Sequence, residues 1–328
     1  MAKKMTMVQA VQDAMRVALE QDNSVVVFGE DVGPNGGVFR ATDGLHDQFG
    51  EKRVFDTPLA ESAIIGNAVG MAALGMKPIA EIQFMGFVFV AMDQIASQAG
   101  RMRSRSGGRF NIPMVIRTPF GGGVKTPELH SDSLETLFMH SPGWKIAIPS
   151  NPYDAKGLLL AAIDDPDPVL FMESMPLYRS VRQEVPEDKY TVPLGQANVV
   201  QEGTDATIVT YGNMVRVSQK VASQLEKDRD ASIEIIDLRT LIPLDMDTIA
   251  KSVEKTGRVV VVTEHVRTGG AASEIITRIN ERSILHVKAP IQRVTGLDTP
   301  YPISTLEDEW LPSPERIKQA LVRVLDFD

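Results

Sequence analysis

Arg53-Val-Phe-Asp-Thr-Pro-Leu-Ala-Glu-Ser-Ala-Ile-Ile-Gly-Asn-Ala-Val-Gly-Met-Ala-Ala-Leu-Gly-Met-Lys-Pro-Ile-Ala-Glu-Ile82 is the stretch that decides the fold. A strand-like run, Arg53–Asp56, leads into a helical stretch, Glu61–Leu74, and then into a second strand-like run, Pro78–Ile82. Strand, helix, strand is the crossover unit of a parallel sheet. The helix is almost wholly apolar, with Ile64, Ile65, Ala68, Val69, Met71, Ala72 and Leu74, as a buried crossover must be.

The same grammar extends to both sides. Val8, Val11, Met15, Ala18 and Leu19 recur at helical spacing over Met7–Glu20. Strand-like runs follow at Val25–Phe28, Pro113–Arg117, Lys145–Ile148 and Val169–Glu173, with helical patterns at Phe87–Met102 and Pro152–Ile163. Asn151 suits the cap of the latter helix and Pro152 its first position. Fully apolar strands predict a sheet covered on both faces. From Met175 to Gly203 Pro and charge interrupt the pattern, which reads as an interdomain linker. Alternation resumes with strands at Thr207–Tyr211, Ser232–Asp237, Arg258–Thr263 and Ile291–Val294, and helices at Val215–Leu225, Met246–Val253 and Ala272–Arg282. The expected fold class is α/β in two domains: residues 1–190, linker included, and a smaller unit, 191–328.

Composition narrows the function. The chain has 43 acidic against 34 basic residues, a net charge of −9. Such a surface repels phosphate backbones and anionic membranes, so neither nucleic acid nor membrane is an expected partner. The basic stretch Arg101–Arg109 reads as a helix tail with cations at its negative end. With no cysteine, disulfides, zinc–thiolate sites and thiol nucleophiles are excluded. The N-terminal residues lack a signal-peptide core, and the apolar windows Ile64–Met76 and Met85–Met92 fall short of the ~18–20 residues of a bilayer span. A cytoplasmic protein is expected.

Two segments imitate cofactor loops. Phe28-Gly-Glu-Asp-Val-Gly-Pro-Asn-Gly-Gly-Val38 follows a strand but lacks G-x-G-x-x-G, and Pro34 breaks the turn where a helix should offer its amides to a pyrophosphate. Thr42-Asp-Gly44 imitates the start of a magnesium–diphosphate motif but follows no apolar strand. Two others carry chemistry. Glu61 stands at the head of an apolar helix, where a carboxyl is desolvated and suited to sharing a proton. A helix-dipole role is the plain alternative. His130, one of five histidines, lies in the glycine-rich loop after strand Pro113–Arg117, flanked by Glu128 and Asp132. Gly121, Gly122 and Gly123 would let that loop approach a ligand closely.

Asp56-Thr-Pro-Leu-Ala-Glu-Ser62, Phe120-Gly-Gly-Gly with His130-Ser-Asp-Ser133, Pro149-Ser-Asn-Pro-Tyr-Asp-Ala-Lys-Gly157 and Asp237-Leu-Arg-Thr-Leu-Ile-Pro-Leu-Asp245 together resemble the beta subunits of 2-oxo acid dehydrogenase complexes, over essentially the whole chain. The resemblance implies a thiamine-diphosphate-binding pyrimidine domain followed by a transketolase C-terminal-like domain. It implies that an alpha subunit carries the diphosphate and magnesium, in a heterotetramer of two alpha and two beta chains. Glu61 then matches the glutamate at the aminopyrimidine ring nitrogen, where a carboxyl stabilises the tautomer that activates the thiazolium carbon. Leu59, Gln83 and Phe87 match positions that line or stack on the pyrimidine. His130 matches a histidine beside the reacting substrate that assists transfer to the lipoyl group of the dihydrolipoyl acyltransferase core. The resemblance also implies a structural potassium ion on the main chain of Ile112, Met114, Val115 and Ala162 and on Asp165 and Asp167; a simple turn at 164–168 is the alternative.

Thr126-Pro-Glu-Leu-His-Ser-Asp-Ser133 resembles bacterial pyruvate enzymes more than branched-chain relatives. Pyruvate is therefore the first expected substrate and a branched-chain 2-oxo acid the second. Two readings of other classes remain, a non-catalytic assembly subunit and a nicotinamide-binding protein. The acidic segments Glu307-Asp-Glu309 and Asp326-Phe-Asp328 are expected to steer a basic domain of the core onto the second unit.

Overall fold

The computed structural model describes residues 2–327. A seven-stranded sheet runs, edge to edge, Thr240–Ile242, Lys145–Ala147, Val169–Ser174, Val115–Phe120, Lys77–Glu81, Val25–Gly29 and Val54–Asp56, parallel except for the first. Successive side chains of its strands enter two different cores, which explains why the strands are apolar throughout. Val25, Val27, Ile79 and Val115 pack beneath helices Met7–Gln21 and Pro152–Asp164, while Val26, Phe28, Ala80 and Ile116 pack beneath helix Glu61–Ala73. The Thr6 side chain and Gln9 form a capping box at the head of the first helix. Asn151 caps the Pro152 helix as expected.

A second sheet, five-stranded, runs Gln292–Val294, Val259–Val262, Ala206–Thr210, Ile233–Asp237 and Asn198–Gln201, with only the last antiparallel. One face joins the Val26 and Phe28 core through Val209, Ile236 and Val261. The other packs on helix Pro314–Leu325 through Ile317, Leu321 and Val324. The two sheets thus share a continuous core.

Three segments depart from expectation. The presumed linker contains strand Arg182–Pro186, paired antiparallel with Ala2–Thr6, and the edge strand Asn198–Gln201. Thr240–Ile242, from the second half, completes the edge of the first sheet. The helix expected over 87–102 is instead a 3-10 segment Met85–Ala91, a π-helix Asp93–Ala99 and a short α-helix Gly100–Arg105. Among the described residues, no helix is long and apolar enough to cross a membrane.

Candidate active site

Four parallel neighbours, Val54–Asp56, Val25–Gly29, Lys77–Glu81 and Val115–Phe120, end along one rim of the sheet, where open α/β sheets place their ligands. Glu30, Glu61, Gln83 and the His130 loop all leave from that rim. Glu61 is the first residue of its helix and only 8% exposed, yet among the described residues nothing donates a hydrogen bond to its carboxylate. Glu30 is buried beside it, with Oε1 lacking any partner. Burial, with repulsion from Glu61, Asp31 and Glu81, pushes the Glu30 carboxyl up to about 6. A buried carboxyl raised toward neutrality among other carboxylates is suited to carrying a proton near pH 6. Sequence reasoning missed Glu30; its place directly after a fully apolar strand was the available signal.

Gln83 Nε2 approaches the Glu30 carbonyl at 3.5 Å and Asp31 Oδ2 at 3.4 Å. Phe87 lies edge-on to Phe84 and to His130, its centroid 5.2 Å from the His130 ring; Phe84 approaches His130 more closely, at 4.4 Å. His130 Nδ1 is buried without a partner, as is Thr57 Oγ1. Glu61, Gln83, Phe87 and His130 are therefore disposed along one rim, in company with Glu30 and Phe84. Leu59, two residues before Glu61, is 80% exposed.

Unpartnered acceptors on Glu30, Glu61 and Thr57, beside an aromatic patch, fit an aminopyrimidine, which carries amino donors, ring-nitrogen acceptors and a flat face. The early glycine loop offers no rival site: the Gly33 amide already donates to Asp56 Oδ1 at 2.6 Å. The amides of Gly122 and Gly123 already donate to Glu264 and Glu307 of the second half of the chain.

The oxygens implied for potassium lie at the opposite, N-terminal ends of the strands. The Ile112, Met114 and Ala162 carbonyls accept backbone N–H groups from Met114, Val169 and Asp165 at 2.8, 3.0 and 3.3 Å. Lys145 Nζ sits 2.7 and 2.6 Å from the two Asp165 oxygens, and Arg103 Nη1 sits 2.6 Å from Asp167. An all-oxygen set suits potassium, but here its carboxylates already hold an ammonium and a guanidinium. Among the described residues, no cluster of three His, Asp or Glu could hold a metal ion.

Residues 3–181 match the family described as the transketolase pyrimidine binding domain, and 195–317 the transketolase C-terminal domain. A solved structure titled split gene transketolase, inactive beta4 tetramer, shares the fold at a TM-score of 0.81 and 21% identity, covering 98% of this chain and 99% of that one. The sequence is 57% identical to a Bacillus subtilis (strain 168) protein named pyruvate dehydrogenase E1 component subunit beta, and 55% identical to its namesake in Staphylococcus aureus (strain Mu50), each over 99% of both chains. The chain belongs to this transketolase-like family and, within it, to the beta subunits of pyruvate dehydrogenase E1.

Proposed function

We propose that this chain supplies the pyrimidine half of the active site of a cytoplasmic pyruvate dehydrogenase E1, which decarboxylates pyruvate and passes the acetyl group to the lipoyl domain of an acyltransferase core. The observation that carries the reading is Glu61, a residue only 8% exposed at the head of its helix, beside Glu30, whose Oε1 is buried without a partner, on the strand-end rim. An assembly subunit has no use for that arrangement. When bound, thiamine diphosphate supplies a nucleophilic thiazolium carbon. Glu61 holds or returns the proton at the pyrimidine ring nitrogen, Gln83 and Phe87 line the ring, and Leu59 contacts it from the exposed side. His130 moves a proton near the acyl group as it leaves for the reduced lipoyl thiol.

The diphosphate and magnesium belong to an alpha subunit, in a heterotetramer of two alpha and two beta chains. Leu59, Phe89 and Val90 support this: all are apolar, and they are 80, 52 and 64% exposed. Apolar side chains left open beside a half-built site mark a surface that a partner covers. Potassium is proposed at the Asp165 turn only in exchange for Lys145, and a higher melting temperature in potassium chloride than in choline chloride tests it.

The deciding experiment is reconstitution. With thiamine diphosphate, magnesium and an alpha partner, the chain reduces dye with pyruvate, and faster than with 3-methyl-2-oxobutanoate. Activity of the chain alone would refute the half-site reading, and inversion of the substrate order would move it to the branched-chain enzymes.

A further inference from the structure

Three backbone amides of the glycine segment point at carboxylates from the second half of the chain. The Gly122 N–H donates to Glu264 Oε2 at 3.2 Å, the Gly123 N–H to Glu307 Oε1, and the Lys125 N–H to Glu307 Oε2 at 3.0 Å. Glu307 is fully buried, and the Tyr301 hydroxyl donates to its Oε1 at 2.7 Å. Lys125 Nζ adds its charge at 3.5 Å while pairing with Asp308 at 2.7 Å. The expectation that Glu307 faces a basic partner is thereby overturned: the side chain turns inward, onto the loop.

The glycines follow from this contact. A Cβ at Gly122 would lie 1.9 Å from the Tyr301 hydroxyl, and one at Gly121 would lie 2.5 Å from Glu264 Oε2. Gly121 and Gly123 also take φ of +83° and +93°, the left-handed region that side chains avoid. Beyond Lys125, Thr126 Oγ1 and Ser131 Oγ lie 2.5 Å apart and close the loop. Its far side rests on Gly86, where a Cβ would come 2.1 Å from the Leu129 carbonyl oxygen. His130 stands between these anchors. Its own amide reaches only the local Pro127 carbonyl, at 3.0 Å, and its Nδ1 has no partner.

We infer that Glu307 is a positioning residue: by holding the Gly123 and Lys125 amides it fixes the rise of the 121–132 loop and so the place of the His130 ring against Phe84 and Phe87. The inference rests on the role proposed for His130. A carboxylate accepting two amides and a phenol in a dry setting makes strong, directional bonds. Without it, the amides of Gly123 and Lys125, both on exposed residues, lose the one fixed acceptor that sets their direction and turn to water, and a loop of left-handed glycines has other ways to turn.

The test uses the assembled enzyme carrying Glu307→Ala, Glu307→Gln and Tyr301→Phe, each with and without His130→Ala. Glu307→Ala is expected to slow acetyl transfer to the lipoyl domain on the order of 10–100-fold, the worth of a misplacement of about 1 Å, with thiamine diphosphate affinity unchanged. Glu307→Gln keeps one acceptor oxygen and loses less. In the His130→Ala background, Glu307→Ala adds less than about twofold, because both act through one group. Amide exchange at Gly123 and Lys125 accelerates in Glu307→Ala. Independent, multiplying losses in the double variant overturn the inference, as does unchanged exchange at both amides. A silent His130→Ala is a separate result that overturns the role of His130 itself. Should Glu307→Ala fail to assemble, Glu307→Gln and Tyr301→Phe carry the same comparison.

Discussion

Arg117 Nη1 stands 2.7 Å from Glu81 Oε2, directly across the register of two neighbouring parallel strands, the two side chains 1% and 6% exposed. Arg117 Nη2 donates to Glu173 Oε2 at 2.8 Å, and the Tyr178 hydroxyl donates to the same oxygen at 2.8 Å. One guanidinium therefore compensates two carboxylates under the floor of the site. Burial pushes the Glu81 carboxyl up while Arg117 opposes it.

Arg117→Met should accordingly destabilise the chain by about 3–5 kcal/mol, since it leaves two buried carboxylates without their cation. Urea unfolding measures the loss. A change under about 1 kcal/mol would mean that the carboxylates had found protons or water cheaply.

Glu61→Gln should preserve the fold and the assembly but slow turnover by ~10²–10⁴, the usual worth of a positioned proton transfer. Glutamine keeps the volume and cannot relay the proton. Exchange of the thiazolium proton in the assembled variant, followed by NMR in deuterium oxide, is the direct measurement. Exchange at the wild-type rate would remove Glu61 from cofactor activation.

His130→Ala should weaken acetyl transfer to the lipoyl domain more than it weakens decarboxylation. The unpartnered Nδ1 is consistent with a group that waits for a later reactant. Assays with an artificial electron acceptor and with lipoyl domain separate the two steps. Equal loss in both would assign His130 to substrate binding instead.

Glu264 should make stability depend on pH. Burial pushes its carboxyl from 4.5 up to about 8, repulsion from Glu135 and Glu307 adds to this, and the Gly122 N–H opposes it. Between those limits the folded chain holds a proton that the unfolded chain has released. Stability from this group is thus greatest at low pH and falls as pH rises toward about 8. Glu264→Gln should flatten that fall, leaving the part due to Asp237, itself raised by burial to about 7. Melting temperatures of both forms from pH 5 to 8, with an unaltered slope in the variant, would show that Glu264 is ionised throughout.

The sheets were legible because Val25–Gly29 and Val169–Ser174 are buried at every position, and such runs stand out from the helices between them. Arg182–Pro186 was not legible: three of its five residues are exposed, so no apolar pattern marks it, and only its partner Ala2–Thr6 makes it a strand. The π-helix Asp93–Ala99 reads as α-helical in the sequence because its wide turn keeps Ile95 and Ala99 buried at the same four-residue spacing as an α-helix. Of the proposed site, Glu61, Gln83, Phe87 and His130 could be singled out because each lies in a local motif. Glu307 was legible only as part of an acidic segment, because the amides it accepts lie 184 and 182 residues away in sequence.

The antiparallel strand Thr240–Ile242 has a consequence for the chain while it is being made. It covers the edge formed by Lys145–Ala147, yet leaves the ribosome long after the other six strands of that sheet. Until then the nascent protein carries an open row of amides and carbonyls, the feature that draws unrelated strands together. A transcript cut short before codon 240 would yield a product with that edge permanently bare, marked for chaperones or proteases before it could ever meet an alpha subunit.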